Sequence, residues 1–433
     1  MPSRFVVVLL SLVIGGLNLA RSAPFNQHGM GARTTALAGA VTALSSEIAG
    51  VYYNPASIAG RPSVDVGIGF DLRAPQLNVD ALAAQPDAES EPNDAATNYG
   101  VHVAARFPFL AKYDHPLTLG IGTSLPLSQS TRIEARTPTT QQFYRYDAHA
   151  DSYALLAALA GRLHEWVSIG IGLHFLGGID GYYDLELDFL RRRFQREVAR
   201  AKFNYTMAVS AGVVITPTPK WSFGVSFRDS LQLDYSLDNQ TRLAGLADFD
   251  IQGFGIALYQ PQQMRAGLLW SPLAAVQFTL DLVWERWSRA PDPSAKAVVN
   301  VSSPELGLDN VTFSDRAVDL GAEDTLSPRV GAEWRPGRWA LRGGYAFVPT
   351  PLPAQTGIDN YIDVSGHLLS AGAEVGFLPR PTRAEYPLPI GIATQALILP
   401  DREMVKTNAM DPVGSYAAGG TIWFANMTIV HRF

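Results

Sequence analysis

Most of the chain alternates between apolar residues and polar or small residues with a period of two. The segment 203–216, FNYTMAVSAGVVIT, places an aromatic or aliphatic side chain at almost every second position, and residues 166–179 and 275–288 behave similarly. Successive side chains of a β-strand point to opposite faces, so this alternation predicts strands with one apolar face and one polar or small face. Many segments reach about ten residues, which is typical of membrane-spanning barrel strands rather than soluble sheets.

Fourteen such segments follow one another, joined by alternately short and long connections. They cover approximately residues 63–73, 99–108, 116–127, 144–162, 166–179, 203–216, 220–237, 260–271, 275–288, 326–335, 338–348, 365–378, 386–399 and 419–433. An even number of strands with alternating connections predicts an all-β fold, a closed 14-stranded antiparallel transmembrane β-barrel with both termini at the short-turn end. Tryptophans at strand ends are predicted to form its interfacial girdles: Trp221, Trp270, Trp284, Trp287, Trp334, Trp339 and Trp423.

The N-terminus follows a different pattern. A positive charge at Arg4 is followed by the apolar run 5–17 and by the small-residue sequence ARSA at 20–23. This order predicts a signal peptide over residues 1–22, with cleavage after Ser22. No later stretch is apolar for the roughly 20 residues that a spanning helix needs. A mature chain that crosses a membrane must therefore do so as a closed barrel.

The composition of the chain limits the classes of function that it can have. Charged residues make up 17% of the chain, the formal net charge is −6, and there are no cysteines. An acidic chain gives no indication of a nucleic-acid partner, and without cysteine there is no thiol nucleophile and no cysteine-based metal site. Neither G-x-S-x-G nor G-x-x-x-x-G-K-[ST] occurs. The sequence therefore predicts neither an enzyme nor a cofactor.

A stretch rich in small residues, 29–60, lies between the signal peptide and the first strand. It consists largely of alanine, glycine and threonine and is nearly uncharged, so it has too little side-chain bulk for a core of its own. Pro55 fixes φ and removes a backbone donor, so the chain must turn there and end any helix. We interpret the stretch as a plug that the barrel encloses.

A motif in this stretch carries a family resemblance. The pattern G-x-R-x-x-A-x-A-G-A is followed by Y-Y-N-P-A and a further alanine, represented here by Gly31, Arg33, Ala36, Ala38, Gly39, Ala40, Tyr52, Tyr53, Asn54, Pro55, Ala56 and Ala59. Together with the late strands and the P-x-P segment in residues 326–378, this pattern resembles the FadL-like outer-membrane transporters. The resemblance implies a monomer in the bacterial outer membrane that passively carries long-chain fatty acids or other hydrophobic molecules. It implies a hatch over residues 23–62 and a transmembrane barrel over residues 63–433.

The resemblance also assigns roles within the hatch. Asn54, Pro55 and Ala56 are expected to shape the turn that moves on ligand binding. A kink in a wall strand is then expected to open a lateral exit towards the membrane. Phe25, near the mature N-terminus, is expected to reach into the ligand pocket.

An amphipathic ligand inside the barrel needs an apolar slot with a cationic end. The fourth predicted strand turns Leu156 inward together with three alanines, which makes that face apolar and small. Arg265 and Arg342 are predicted to point inward, and Arg145 lies nearer the outside. Each is a candidate partner for a ligand carboxylate. The alternative for each arginine is a salt bridge to a lumen acid, such as Asp281 or Glu374.

Two long connections suggest contacts outside the membrane. The connection 238–259 is unusually apolar and includes Leu246, Phe249 and Phe254. It either folds over its neighbour or offers a hydrophobic capture groove, and the family resemblance favours the groove. The connection 180–202 is predicted to be a basic, partly apolar helix that lies next to anionic outer-membrane lipids and lipopolysaccharide, or that attracts carboxylates.

The closing strand and the remaining alternatives complete the prediction. A last strand ending in Phe433 resembles the tail read by the outer-membrane barrel assembly machinery, although an ordinary amphipathic strand can also end in phenylalanine. An aromatic-hydrocarbon channel of the same family would need no carboxylate anchor. A general porin would need a charged, unplugged lumen. A lipid hydrolase would need a Ser/His pair on neighbouring inward positions, and the sequence offers no convincing pair.

Overall fold

The structure is a computed structural model that describes residues 29–44, 47–59, 63–82, 97–109, 117–127, 138–146, 153–188, 193–243, 247–303, 308–314, 317–377, 388–408 and 410–433. The predicted signal peptide, Phe25 and Leu246 lie outside the described residues. Within the described residues, no helix combines the length and the apolar character needed to cross a membrane.

Fourteen antiparallel strands form a closed wall. They are β1 (Asp65–Ala81), β2 (Asn98–Phe109), β3 (Leu117–Pro126), β5 (Tyr153–His164), β6 (Val167–Asp188), β7 (Arg193–Thr218), β8 (Trp221–Arg228), β11 (Gln263–Leu273), β12 (Val276–Glu285), β15 (Thr325–Trp334), β16 (Trp339–Val348), β18 (Gly366–Phe377), β19 (Leu388–Met404) and β20 (Tyr416–Arg432). Each pairs with the next in this order, and β1 pairs with β20 to close the ring. The predicted fold and strand number are confirmed.

The remaining strands belong to the long connections. They are β4 (Gln142–Phe143), β9 (Leu231–Leu243), β10 (Ala247–Gln260), β13 (Lys296–Ser303), β14 (Leu308–Ser314) and β17 (Tyr361–Ile362). The hairpin β9–β10 joins the outer part of β6 on one side and β13 on the other. The connection predicted as an apolar loop is therefore mostly sheet.

The helix predicted over residues 180–202 is wrong. Residues 180–188 and 193–202 continue β6 and β7 as a long antiparallel hairpin beyond the wall. Its register sets Asp180 opposite Lys202 and Tyr182 opposite Arg200, and the Arg200 guanidinium lies 5.7 Å from the centre of the Tyr182 ring. Cross-strand partners of this kind stabilise a sheet, and they place Arg200 and Lys202 on strands rather than on a helix face.

The apolar faces of the wall strands point outward, as predicted. On β7, the side chains of Phe203 and Tyr205 are 70% and 78% exposed, whereas Ala208 and Ser210 on the opposite face are buried. The other wall strands repeat this arrangement. An apolar exterior on every strand is the inverse of a soluble sheet and is typical of a barrel that faces lipid.

Most of the girdle tryptophans lie where the pattern predicts. Trp221 and Trp270 stack with ring centres 5.8 Å apart at the short-turn end, and both are exposed. Trp287 departs from the prediction. It begins a short 3-10 helix after β12 and is buried against Tyr144 and Tyr259 from other connections. There it holds the outer connections together.

Residues 29–44 and 47–59, called the inner segment from here on, lie inside the ring of strands. They form α1 (Ala32–Ala36), α2 (Gly50–Tyr53) and a 3-10 helix (Pro55–Ile58). Helix α1 contacts β16, β18, β19 and β20, whereas the 3-10 helix contacts β3, β5, β6 and β7 on the opposite wall. The inner segment therefore crosses the lumen from one side to the other.

Candidate ligand-binding lumen

Asp281 on β12 is the main polar anchor of the inner segment. Its carboxylate is fully buried and accepts hydrogen bonds from the backbone N–H groups of Val41 and Thr42, each at 3.0 Å, and from the Thr42 hydroxyl at 2.6 Å. Arg265 on β11 lies 3.5 Å from the same carboxylate and donates to Thr42 Oγ1 and to the Gly39 carbonyl. This predicted ligand anchor is thus engaged with an internal acid and with the inner segment.

A second anchor lies nearer the short-turn end, at Glu333 on β15. Its carboxylate is buried and pairs with Arg33 of α1 at 3.0 Å, and also with Arg335 and Arg342. Arg342 further contacts Glu374 at 3.0 Å. A buried carboxylate shared by several guanidinium groups forms strong charge-assisted hydrogen bonds, so Arg342 is held within this cluster.

The ion cluster borders a cavity of about 420 Å³ at the short-turn end. Arg33, Glu47, Arg335 and Glu374 line one side of it, and Met30, Ala104 and Leu269 contribute an apolar side. The salt bridge from Arg33 to Glu47, at 2.7 Å, joins the two charged residues of the inner segment across this space.

The turn at Asn54, Pro55 and Ala56 is tightly held. The Asn54 side chain caps the 3-10 helix by accepting a hydrogen bond from Ala56 N at 3.1 Å. Its amide nitrogen donates to the Thr42 carbonyl at 2.8 Å, which ties the two halves of the inner segment together, and to the Val213 carbonyl on β7 at 3.3 Å. The proline occupies the first helical position, where it suits the backbone.

Inward-facing glycines let the inner segment reach the wall. A Cβ atom on Gly170 of β6 would lie 2.4 Å from the Pro55 carbonyl carbon, and one on Gly224 of β8 would lie 2.1 Å from the Thr42 carbonyl oxygen. No side chain fits at either distance. These strand glycines therefore shape the seat of the inner segment.

One section of the wall is apolar where the sequence predicted it. On β5, Leu156, Ala158 and Ala160 are buried on the inward face, while Leu155 and Leu159 are exposed on the outer face. The inward side chains of β5 contact α2 and the 3-10 helix, as shown by the shared apolar cluster. This wall offers hydrocarbon surface beside the Asn54 turn.

A polar group adjoins that apolar wall and was missed in the sequence. His174 on β6, Ser210 on β7 and Arg228 on β8 are all buried on the inward face, and the register places Ser210 directly beside Arg228. The Tyr52 ring of α2 covers the group, with the Arg228 guanidinium 5.0 Å from its centre and the His174 ring 5.5 Å away. The alternation along β6, β7 and β8 could have identified these three residues, because it indicates which side chains point into the lumen.

The outer end of the lumen is filled by the long connections. Arg145 forms two hydrogen bonds with Asp363, at 2.5 and 2.8 Å, and so links the connection after β3 to the one after β16. Around this pair lie Tyr144 and Tyr361, with ring centres 6.4 Å apart. Burial raises the pKa of the Tyr144 hydroxyl, so this ring remains uncharged.

The remaining predicted ligand residues lie on the β9–β10 hairpin. Phe249 is half-buried, and Phe254 is 40% exposed. Both are on β10, whose edges pair with β9 and β13. The described hairpin residues therefore combine paired backbone with apolar side chains that remain open to solvent.

The strand order and the occupied lumen define the class of this protein, a closed 14-stranded β-barrel of the kind that spans outer membranes. No protein-family model matches the sequence. Alkane uptake protein A of Marinobacter nauticus is 20% identical over 459 residues, which cover 99% of this chain and 97% of that protein. A FadL homologue of Pseudomonas aeruginosa has a TM-score of 0.59 at 14% identity, covering 96% of this chain and 99% of that one. The toluene transporter TbuX of Ralstonia pickettii has a TM-score of 0.54 at 13% identity, covering 95% and 100%.

The chain thus has the FadL-like fold, which is the fold that the resemblance in its sequence predicts. Two of these similar proteins are named for the uptake of alkanes and for the transport of toluene.

Proposed function

We propose that this protein carries long-chain fatty acids or other hydrophobic small molecules passively across the bacterial outer membrane. The observation that carries the proposal is the lumen, where an apolar wall around Leu156 lies directly beside the Asn54 turn of the inner segment. An alkane uptake protein and a toluene transporter of similar architecture support the hydrophobic cargo. A water-filled porin would not need an inner segment anchored to both walls.

We propose that the ligand moves from sites that bury little of its apolar surface to sites that bury more of it. Burial contributes about 0.8 kcal/mol per methylene, so a 16-carbon chain gains on the order of 10 kcal/mol in a dry slot before ordering costs. Capture begins at apolar side chains of the β9–β10 hairpin, such as Phe249, Phe254 and Leu246. The ligand then passes to the lumen wall near Leu156, where Phe25 is proposed to reach into the pocket.

Release requires the inner segment to move. We propose that residues 23–62 act as the hatch, residues 63–433 form the barrel, and Asn54, Pro55 and Ala56 shape the moving turn. This turn contacts the wall by close apposition to Gly170 and by a few hydrogen bonds. The exit is proposed to be lateral, towards the membrane, as the family resemblance implies.

The proposed location and partners follow from the exterior. Phe433 is 55% exposed at the end of the closing strand, where the outer-membrane barrel assembly machinery can read it. Apolar strands face lipid, and the basic outer hairpin β6–β7 faces lipopolysaccharide. The family resemblance favours a monomer.

Binding of a fluorescent fatty acid to the refolded protein tests the proposed function. We expect saturable binding by the intact mature chain and its loss when residues 24–60 are deleted. Competition with hexadecane and with an alkylbenzene then ranks the cargo classes. Ion conductance by the intact protein without any hydrophobic ligand binding would show a general porin instead.

The lipid-facing exterior gives a stability prediction at Ile171. This side chain on β6 is 63% exposed on the outward face, so Ile171→Arg places a charge in the hydrocarbon. We expect a loss of about 2–4 kcal/mol in the free energy of unfolding, measured by urea titration in lipid vesicles. Leu237→Arg is the matched control because Leu237 is 49% exposed on β9, outside the wall. Equal losses for both variants would contradict the membrane orientation.

A further inference from the structure

Among the buried polar atoms without a hydrogen-bond partner within the described residues, two lie on the neighbouring inward faces of β6 and β7. His174 Nε2 and Ser210 Oγ have no hydrogen bond within the described residues, although both residues are at least nine-tenths buried, at 3% and 5% exposure. Leaving such atoms unpaired costs free energy, because water no longer satisfies them. Their position on neighbouring inward faces therefore indicates a ligand that supplies the missing hydrogen bonds.

The chemistry around these atoms favours an anion. Arg228 lies across from Ser210 in the β7–β8 register, and a guanidinium, a hydroxyl and the N–H of a neutral imidazole are all hydrogen-bond donors. A carboxylate accepts from all three. His174 Nε2 and Ser210 Oγ do not bond to each other, which is unlike the nucleophile and base of a hydrolase. The arrangement is suited to holding an anion rather than to cleaving a lipid.

Hydrocarbon surface continues directly from this group. Leu176, Ala208 and Leu231 form one buried apolar cluster, with Ala154 and Leu258 against it. Leu176 is two residues from His174 on the same face of β6, and Ala208 is two residues from Ser210 on β7. A ligand with its head at Arg228 thus finds an apolar wall for its chain in the direction of the long connections.

We propose that Arg228, His174 and Ser210 bind the carboxylate of an aliphatic acid whose chain lies along Leu176, Ala208 and Leu231. This inference rests on the proposed function and adds to it the chemical class of the head group. It places the anionic end at residues other than the predicted anchors Arg265, Arg342 and Arg145.

The same site is linked to the inner segment through Tyr52. The Tyr52 ring covers both Arg228 and His174, so a carboxylate that reaches them must move the ring. Tyr52 lies in α2, two residues before Asn54. Head-group binding therefore acts directly on the element that carries the Asn54 turn, whereas an uncharged alkane of the same length does not compete for Arg228.

The test compares palmitate with hexadecane on the intact mature protein held in amphipol. Arg228→Gln is expected to weaken palmitate binding at least tenfold, since a charge-assisted hydrogen bond is lost, and to leave hexadecane binding unchanged. Ser210→Ala, a smaller change that preserves the fold, is expected to weaken palmitate about threefold. Arg338→Gln, at an exposed turn arginine, is the control and is expected to change neither ligand.

Each other outcome overturns the inference in a recognisable way. Palmitate binding that is unchanged in both Arg228→Gln and Ser210→Ala places the head group elsewhere, and selective loss of palmitate in Arg342→Gln identifies that place. Equal losses of palmitate and hexadecane in both lumen variants mean that the group is structural. If the wild-type protein binds neither ligand, the proposed function itself fails.

Discussion

Gly170→Ala is expected to displace the Asn54 turn and to weaken hydrophobic ligand binding at least tenfold. The added methyl group would lie 2.4 Å from the Pro55 carbonyl carbon and 2.5 Å from Ala56 N. Both are backbone atoms of a capped 3-10 helix, so no side-chain rotation relieves the clash. Overpacking of this kind costs about 1–3 kcal/mol. The Asn54 side chain bonds to the wall once, at the Val213 carbonyl, whereas β6 is paired along both edges with β5 and β7, so the turn is the part that moves.

Hydrogen exchange followed by mass spectrometry measures this displacement. Peptides that cover residues 47–59 should exchange faster in Gly170→Ala, while peptides from β5 and β6 should remain protected. Gly343→Ala is the matched control, since it alters a strand glycine on the outward side of β16 whose added methyl group meets no atom closer than 3.8 Å. Unchanged exchange in residues 47–59 would mean that the turn is not seated against β6.

Asp281→Ala is expected to release the middle of the inner segment and to open an ion leak. The change leaves the N–H groups of Val41 and Thr42 without their acceptor and leaves buried Arg265 without its carboxylate. Removing one partner of a buried ion pair costs about 3–5 kcal/mol. The outward apolar face of β12 is untouched by the change, so the barrel itself should still assemble.

Planar-bilayer recordings measure the leak as a rise in the open-state conductance and in its frequency. Asp281→Asn should show a smaller rise, because all three hydrogen bonds go to Asp281 Oδ2 and an amide oxygen in its place has two lone pairs to accept them. Asp80→Ala, at an exposed acid near the outer end of β1, keeps the same charge change away from the inner segment. A conductance of Asp281→Ala equal to that of the Asp80 variant would rule out this anchor.

The alternation of apolar and polar residues with a period of two predicts most of the fold. Strand faces are decided residue by residue, so residues 203–216 were enough to predict which side of β7 meets lipid, and fourteen such segments with alternating connections predicted the closed ring. The pattern failed where strands leave the wall. Beyond the membrane the exterior is no longer uniformly apolar, so the outer hairpin of β6 and β7 resembled a basic helix, and Trp287 resembled a girdle residue.

The lumen could be predicted only in part. Alternation on β5 identified Leu156 as inward, and the small residues of 29–60 predicted a plug. The pairing of arginines with particular acids depends on contacts between segments far apart in sequence, such as Arg33 with Glu333. The group of His174, Ser210 and Arg228 comes together from three strands and Tyr52, so no local motif marks it.

The closure of β1 against β20 has a consequence for biogenesis. The inner segment leads directly into β1 and is bound by the last strand, where Thr428 accepts a hydrogen bond from Ala32 N at 2.9 Å. A ring sealed first would leave only a narrow entrance for a polypeptide carrying two helices. The N-terminal residues must therefore already lie inside the barrel when β1 and β20 pair. The final strand then retains them once the barrel is closed.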